Sequence, residues 1–528
     1  MIKYLHSYIK NSTLAKFTIL QVALTLGIYN NYTILKVLKI INISSAANVF
    51  LFSGIILGVA FALYLVYGLI FLLRFSRKFI ASALLLANSM AFYFVNTYHT
   101  CIDKTMIANA FATDKNEVAD LLSIKMMLTL LLAGIIPMCL TLVIKFDKKC
   151  NLIADFASYI KGLLVLFTLV IITFWPNYIK ISTIFRQHRN IACYTIPSNY
   201  IISTIKYHKY IAAPRKIQKI SGAMQLENQK PATVILVVGE TARKANFSLY
   251  GYAQKTNPLL EKQPIHVLQN ATSCGTSTLV SVPCIFSHLG RTSSEDKGSF
   301  QKFPEALQDL GVKIWWKDNN FGGCYKICST LNRTIIDHDK CAGNSCHDEI
   351  LLDGVQEYIA ENKSVKNLIV LHTNGSHGPS YYKRYPHQFA KFQPTCSKND
   401  LQNCTMQELV NSYDNTILYT DFFLNELINL TKNAKSPIVI MYFSDHGESL
   451  GENGLFLHGF PYSIAPENQK NIPFIVYVNP EYKKAYPEIA LRKMEKYSHD
   501  NVFHSTLRLL SVKSSLYKKE LDIFAQPT

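Results

Sequence analysis

Three runs of the chain carry no charged side chain at all: Ala47 to Leu73, Met126 to Ile144 and Gly162 to Ile179. Each is long enough to cross a hydrocarbon core of about 30 Å as a helix. Two further apolar runs, 14–35 and 79–100, are interrupted, the first by Lys16 and Tyr29-Asn30-Asn31-Tyr32, the other by Asn88, Asn96 and His99. Together they predict five membrane spans. After residue 230 the pattern changes to short apolar runs, Thr233–Val238, Val312–Trp316, Asn367–His372, Ile438–Phe443 and Phe474–Val478, alternating with longer helical stretches. Nearly continuous apolar content is what central parallel strands need when both faces are buried. The second half is therefore expected to be an α/β domain with a mainly parallel sheet and helices on both faces. The expected organisation is a transmembrane domain over 1–180, a linker over 181–230 and a folded domain over 231–528.

A formal net charge of +18 would suit a nucleic-acid binder, but its location argues otherwise. Residues 1–230 hold 24 Lys and Arg against 7 Asp and Glu, while residues 231–528 hold 30 against 29. The excess sits before the first span, between the second and third, and between the fourth and fifth, which the positive-inside rule makes cytoplasmic. An odd number of spans then exports everything after residue 180, and places the 97–125 loop on the same side. The 180–230 stretch, basic and rich in Tyr and Ile, suits a segment lying on anionic headgroups, although a solvated connector fits as well. Cysteines support export, because disulfides persist in oxidising compartments. Eight of the 12 follow residue 231 as close pairs: Cys274 and Cys284, Cys324 and Cys328, Cys341 and Cys346, Cys396 and Cys404. Eight cysteines allow on the order of a hundred pairings, of which nearest-neighbour pairing is favoured. Spacings that do not repeat and lack a CxxC disfavour zinc fingers. The uncleaved first span argues against a removable signal peptide.

Several predicted strands end in groups suited to a divalent cation. Glu240 follows TVILVVG, His372 and His377 lie in NLIVLHTNGSHGP, Asp445-His446 follows IVIMYFS, and His458 comes after in GLFLHGFP. Functional groups of α/β sheets collect at carboxyl strand ends, where distant loops can bring carboxylates and imidazoles to one zinc ion. Singly, each is as readily a helix cap or a loop anchor. Their shared placement favours a metal. The string Ser273-Cys274-Gly275-Thr276-Ser277-Thr278 offers hydroxyls that a Cys274–Cys284 bond would pin. A hydroxyl is a poor nucleophile at neutral pH, and a nearby metal is one means of activating it. Residue chemistry alone does not choose among Thr276, Ser277 and Thr278, and an ordinary Ser/Thr-rich turn has the same composition.

The runs VVGETARKANFSLYGY, SCGTSTLVSVPCIFS, SHGPSYYKRYP, FSDHGESLGENGLFLHGFPYSIAP and SHDNVFH, spread over most of 233–508, resemble the alkaline phosphatase and sulfatase superfamily. Within it they resemble the lipid A phosphoethanolamine transferases that give resistance to polymyxin and other cationic antimicrobial peptides. The resemblance implies Thr278 as nucleophile and a zinc site of Glu240, Thr278, Asp445 and His446. It implies that His377 and His458 bind the phosphoryl group or a second zinc ion. His372 is then structural, with His499 and Asp500 a supporting pair. A looser match, DKTMIANAFATDKNEVADLLS, implies that Asn109, Thr113 and Glu117 help bind the ethanolamine end of the donor. Their spacing of four puts them on one helix face, as it would in any amphipathic interfacial helix. One departure stands out. The family lysine expected after a DNN triplet and a cysteine meets Tyr325 here, so its role passes to Lys326 or is lost.

The implied reaction moves phosphoethanolamine from phosphatidylethanolamine to a phosphate of lipid A in a lipopolysaccharide. It runs by a ping-pong cycle through Thr278 and releases diacylglycerol. The implied setting is a bacterial inner membrane with the catalytic domain in the periplasm and the chain a monomer. Related activities share these motifs: transfer to a lipopolysaccharide core sugar or periplasmic glucan, phosphoglycerol transfer, sulfatase-like hydrolysis, or an inactive membrane assembly protein that keeps the fold. Sulfatases carry a modified Cys or Ser at the nucleophile, and neither motif surrounds Thr278.

Overall fold

A computed structural model describes residues 12–113, 118–119, 121–146, 151–213, 217–293, 300–320, 324, 327–328, 330–337, 341, 346–399 and 401–524. The chain divides into two compact units, Met1–Ile107 with Ser123–Tyr210, and Ala108–Leu122 with Ile211–Thr528.

The first unit is helical. Ala46–Phe71, Arg77–Tyr98, Ile124–Val143 and Leu152–Gln187 are long and apolar enough to cross a membrane, and Leu14–Tyr29 is a shorter apolar helix. Side-chain caps set several starts, with Ser45, Ser123 and Asn151 accepting from Asn48 N, Met126 N and Ala154 N. The second and fifth apolar helices approach closely through paired small and large residues. A Cβ on Gly68 would sit 2.1 Å from the Tyr159 ring, and one on Gly162 would sit 2.2 Å from Tyr64 Oη. Tyr64 and Tyr159 then stack at 5.5 Å. Small residues allow such approach where no hydrophobic force separates helix from lipid.

A disulfide and a buried ion-pair cluster add to this packing among the described residues. Cys101 pairs with Cys193 across 92 residues, a bridge outside the nearest-neighbour expectation. Asp155 is buried and receives Arg74 Nε at 3.3 Å and Arg77 Nη2 at 3.2 Å. The Arg77 guanidinium also lies 3.7 Å over the Phe146 ring.

The second unit holds a seven-stranded sheet among the described residues. Its strands are β1 (Ala232–Gly239), β2 (Ile265–Val267), β4 (Lys313–Asp318), β5 (Arg333–Ile335), β6 (Lys366–His372), β7 (Ile438–Ser444) and β8 (Phe474–Val478). The order is β2-β8-β7-β1-β6-β4-β5. A separate short pair joins β3 (Ala271–Thr272) to β9 (Tyr497–Ser498). From β7 to β5 all pairings are parallel, whereas β8 runs antiparallel to both β7 and β2. The expected parallel direction of Phe474–Val478 is thus corrected. Burial on both faces produces the same apolar run whichever way a strand points.

Successive residues of each central strand feed two cores. Val234, Leu236 and Val238 face one, while Ile235 and Val237 face the other, and β7 splits likewise into Val439, Met441, Phe443 and Ile438, Ile440, Tyr442. Each such side chain contributes about 1.5–3 kcal/mol by leaving water. The parallel strands also end level. Val238 pairs with His372, Gly239 with Ser444, and Asp318 with His372. One edge of the sheet therefore collects the residues that follow. The four close cysteine pairs bond to their nearest neighbours.

Replacing Asp155 with Ala should remove the carboxylate that the buried Arg77 guanidinium meets at 3.2 Å and cost about 3–5 kcal/mol. A markedly lower unfolding temperature in detergent is expected, whereas Arg74→Ala, at a more exposed position, should cost under about 1 kcal/mol. Equal melting of Asp155→Ala and the parent chain would refute this.

Candidate metal centre and nucleophile

Glu240 extends from β1 and Asp445-His446 from β7, adjacent parallel strands, so the three converge without any long loop. One ligand atom from each lies within 4.8 Å of the others, and all three residues are fully buried. His446 Nε2 is 3.5 Å from Glu240 Oε1 and 3.3 Å from Asp445 Oδ2. Its other nitrogen, Nδ1, faces the Gly447 carbonyl at 2.9 Å. A carbonyl only accepts, so Nδ1 carries the proton and the Nε2 lone pair points at the carboxylates.

Burial pushes both carboxyls up, with Asp445 adding to the shift of Glu240. Burial also pushes His446 down to about 3, which keeps its imidazole neutral. Asp445 Oδ1 accepts from Thr241 N at 3.1 Å and His446 N at 2.7 Å, yet its Oδ2 is buried with no hydrogen-bond partner. Two carboxylates and an imidazole lone pair aimed at one point lack only positive charge. That donor set fits zinc.

The three candidate hydroxyls occupy different surroundings. Thr276 Oγ1 donates to the Phe460 carbonyl at 2.5 Å, and Ser277 Oγ is buried without a partner. Thr278 Oγ1 donates to Glu240 Oε2 at 3.1 Å and lies 3.4 Å from His446 Nε2. The loop is held by the Cys274–Cys284 bond, by Gly275 N donating to Ser281 Oγ at 3.1 Å, and by His499. His499 accepts from Cys274 N at 3.0 Å through Nδ1 and donates to Ser444 O at 2.8 Å through Nε2. It ties the hydroxyl loop to the strand that carries Asp445. Asp500 accepts from Arg291 N at 2.6 Å beside the same loop. Thr278 opens the Thr278–Ile285 helix, whose amino end favours negative charge.

Two more histidines stand beside the cluster. The His458 ring is 4.3 Å from that of His446 and 5.8 Å from that of His377. Burial lowers His377 well below the usual histidine range, and Arg384 adds to this. Burial acts the same way on His458, but Glu448, 3.4 Å away, and the metal-cluster carboxylates outweigh it and raise it to about 9. His372 sits one layer back, its Nδ1 3.1 Å from Asp318 Oδ2. Asn109 is carried by the Lys104–Ala112 helix, and its Nδ2 would be 3.8 Å from a Cβ on Gly459, next to His458. Thr113 follows that helix and donates to Asn109 O at 2.9 Å. Glu117 and Lys326 lie outside the described residues.

The surrounding anchors were not anticipated. Asp348 is a buried carboxylate that accepts from Asn374 N at 2.7 Å, Gly375 N at 2.9 Å and Asn319 Nδ2 at 2.8 Å. Gly375 has a φ of +50° and rests on the Glu240 backbone, where a Cβ would come within 2.7 Å of Glu240 O. Asn320 Nδ2 donates to Glu240 Oε2 at 2.8 Å. Apart from the DNN triplet that contains Asn319 and Asn320, no local pattern marks these residues, because their partners lie far off in the chain.

Known proteins resemble this chain in sequence and fold. A sulfatase family model matches residues 232–512, and a model described as phosphoethanolamine transferase EptA/EptB matches residues 59–211. The phosphoethanolamine transferase EptA of Escherichia coli K12 is 38% identical over 464 residues, 84% of each chain. The solved integral membrane lipooligosaccharide phosphoethanolamine transferase A of Neisseria meningitidis superposes with a TM-score of 0.91 over 98% of each chain, at 29% identity. The C-terminal periplasmic domain of EptC from Campylobacter jejuni is 41% identical, with a TM-score of 0.53, over 59% of this chain and all of that domain. The helical apolar region and sulfatase-type domain are those of a multi-span inner-membrane protein with its C-terminal domain in the periplasm. The chain belongs to the phosphoethanolamine transferase family.

Proposed function

We propose that the protein transfers phosphoethanolamine from phosphatidylethanolamine to a phosphate of lipid A, through a covalent phosphoethanolamine–Thr278 intermediate. The observation that carries this reading is the Thr278 hydroxyl set against Glu240 and His446 inside a buried cluster of metal-ligand type. The names of the relatives agree with it, including a phosphatidylethanolamine transferase, Mcr-1, of Escherichia coli and a Kdo(2)-lipid A phosphoethanolamine 7''-transferase. Glu240, Asp445, His446 and Thr278 would hold a zinc ion, and His377 with His458 a second one or the phosphoryl group. Zinc in that place supplies the positive charge that acidifies a hydroxyl and offsets charge on phosphoryl oxygens.

Thr278 Oγ attacks the donor phosphorus in line, giving its proton toward Glu240, with which it is already hydrogen-bonded. The phosphorus–oxygen bond to diacylglycerol breaks as the new bond forms. The departing glyceryl oxygen takes a proton, and His458, held in its charged form by Glu448, is the better placed donor. His377, buried and neutral, is suited to orienting a phosphoryl oxygen. A lipid A phosphate oxygen then attacks the same phosphorus, the phosphorus–oxygen bond to Thr278 breaks, Thr278 takes back its proton from Glu240, and His458 is reprotonated by the acceptor phosphate or solvent. Asn109, Thr113 and Glu117 would receive the ethanolamine end, which leaves the membrane donor tethered by both headgroup and chains. The catalytic unit spans 231–528 in this reading, with 181–230 as its interfacial linker and the chain acting as a monomer. Adding ethanolamine groups lowers the negative charge of the outer surface and so weakens binding of cationic peptides such as polymyxin.

Full-length protein incubated with phosphatidylethanolamine alone should gain one phosphoethanolamine on Thr278 by peptide mapping. Thr278→Ala should lose at least about a thousandfold in transfer rate. Modification of Thr276 or Ser277 instead would overturn the assignment. Lipid A from cells with and without the protein, compared by mass spectrometry, tests the acceptor. An adduct confined to a core sugar or periplasmic glucan would move it to that alternative.

Purified protein should carry zinc, and Glu240→Ala or Asp445→Ala should lower its content at least about tenfold. Both carboxyls are raised above the ordinary range of about 4, so protons compete for them earlier than for exposed acids. Zinc should therefore leave as pH falls through the mildly acidic range and return on neutralisation. Retention of full zinc in Glu240→Ala, or a metal-free parent protein, would reject the site.

A further inference from the structure

The triplet Asp318-Asn319-Asn320 ends β4, two strands away from the one that carries Glu240. Asn320 is buried, and both hydrogens of its side-chain amide are committed. Nδ2 donates to Glu240 Oε2 at 2.8 Å and to the Thr373 carbonyl at 3.2 Å. Both partners are acceptors, so the amide cannot be turned over: a flipped Oδ1 would face two oxygens. Its own backbone is fixed as well, with Asn320 N donating to Asp318 Oδ1 at 3.0 Å. Asp318 Oδ2 in turn accepts from Trp316 Nε1 at 2.8 Å and meets His372 Nδ1 at 3.1 Å. The amide is thus a rigid arm reaching from one strand end, past a second, to the carboxylate of a third.

Other polar groups also meet the Glu240 carboxylate. Thr241 Oγ1 donates to its Oε1, Thr278 Oγ1 donates to its Oε2, and His446 Nε2 stands opposite. In the proposed reaction Thr278 would give up its proton, and His446 and the carboxylate would hold a cation. Asn320 then still holds Oε2. It is a neutral donor, so it restrains the carboxylate without cancelling the charge that a cation needs.

We propose that Asn320 is a positioning residue that fixes the rotation of the Glu240 carboxylate and so sets the metal affinity of the site. The inference rests on the zinc reading above. Orientation by outer hydrogen bonds is a general requirement of metal ligands, and its loss costs roughly 10–100-fold in affinity.

The test is the zinc dissociation constant of the full-length protein in detergent, measured by competition with a chromogenic chelator for the parent chain, Asn320→Ala and Asn320→Leu. Leu fills the space of Asn without a donor, which separates hydrogen bonding from packing. Both variants should bind zinc about 10–100-fold more weakly, with an unfolding temperature near that of the parent in the metal-free state. Transfer activity should recover at high zinc, since Thr278 and the histidines are intact. A dissociation constant within about twofold of the parent in either folded variant overturns the role. Unfolding of both variants also overturns it, and assigns Asn320 to the framework instead. A parent chain that binds no zinc would fail the metal site itself, a result distinct from either.

Discussion

Two carboxylates buried away from the solvent surface, Glu240 and Asp445, face one point from neighbouring parallel strands. Such a pair repels itself, and an uncompensated buried charge is among the more expensive features a fold can carry. The surrounding structure reads as a response to that repulsion. Backbone N–H groups of Thr241 and His446 hold one Asp445 oxygen, the Asn320 amide holds one Glu240 oxygen, and the His446 proton is kept on the far side of its ring. What remains is a concentration of lone pairs that a cation satisfies better than any side chain. The sheet is what makes this arrangement stiff. Two hydrophobic cores clamp β1 and β7 from both faces, so the strand ends cannot drift apart to relieve the strain.

The strands themselves were legible. Ile438–Phe443 was read within one residue of the observed Ile438–Ser444, because burial on both faces leaves an unbroken apolar run that no loop imitates. The strand-end positions of Glu240, Asp445 and His446 were legible for the same reason, since a polar group directly after such a run has only the strand end to occupy. Direction was not. Phe474–Val478 looks parallel from its composition and runs antiparallel. The first span, weakened by its polar Tyr29-Asn30 end, proved shorter than the other four.

Apart from the DNN triplet, anchors held by distant partners left no mark in the chain. Asn320 meets a carboxylate 80 positions away, and asparagine is common at turns and caps for purely local reasons. Asp348, which pins the Asn374-Gly375 turn against Glu240, is equally silent. Among the hydroxyls of Thr276, Ser277 and Thr278, chemistry offered no preference, while geometry separates them by what each faces: a carbonyl, nothing, and the acid cluster. The nearest-neighbour disulfides followed from short spacing, whereas a bridge over 92 residues could only be seen folded.

That bridge turns part of the helical unit into a covalent ring. Cys101 and Cys193 enclose two of the apolar helices, Ile124–Val143 and Leu152–Gln187, which pass through the bilayer between them. A ring of this kind has no free end. A protease that nicks any exposed point between residues 101 and 193 would open the backbone yet leave both fragments joined, and the two spans could not separate laterally in the lipid until the sulfurs were reduced. The oxidising side of the membrane thus acts as a lock that closes only once both cysteines have crossed it.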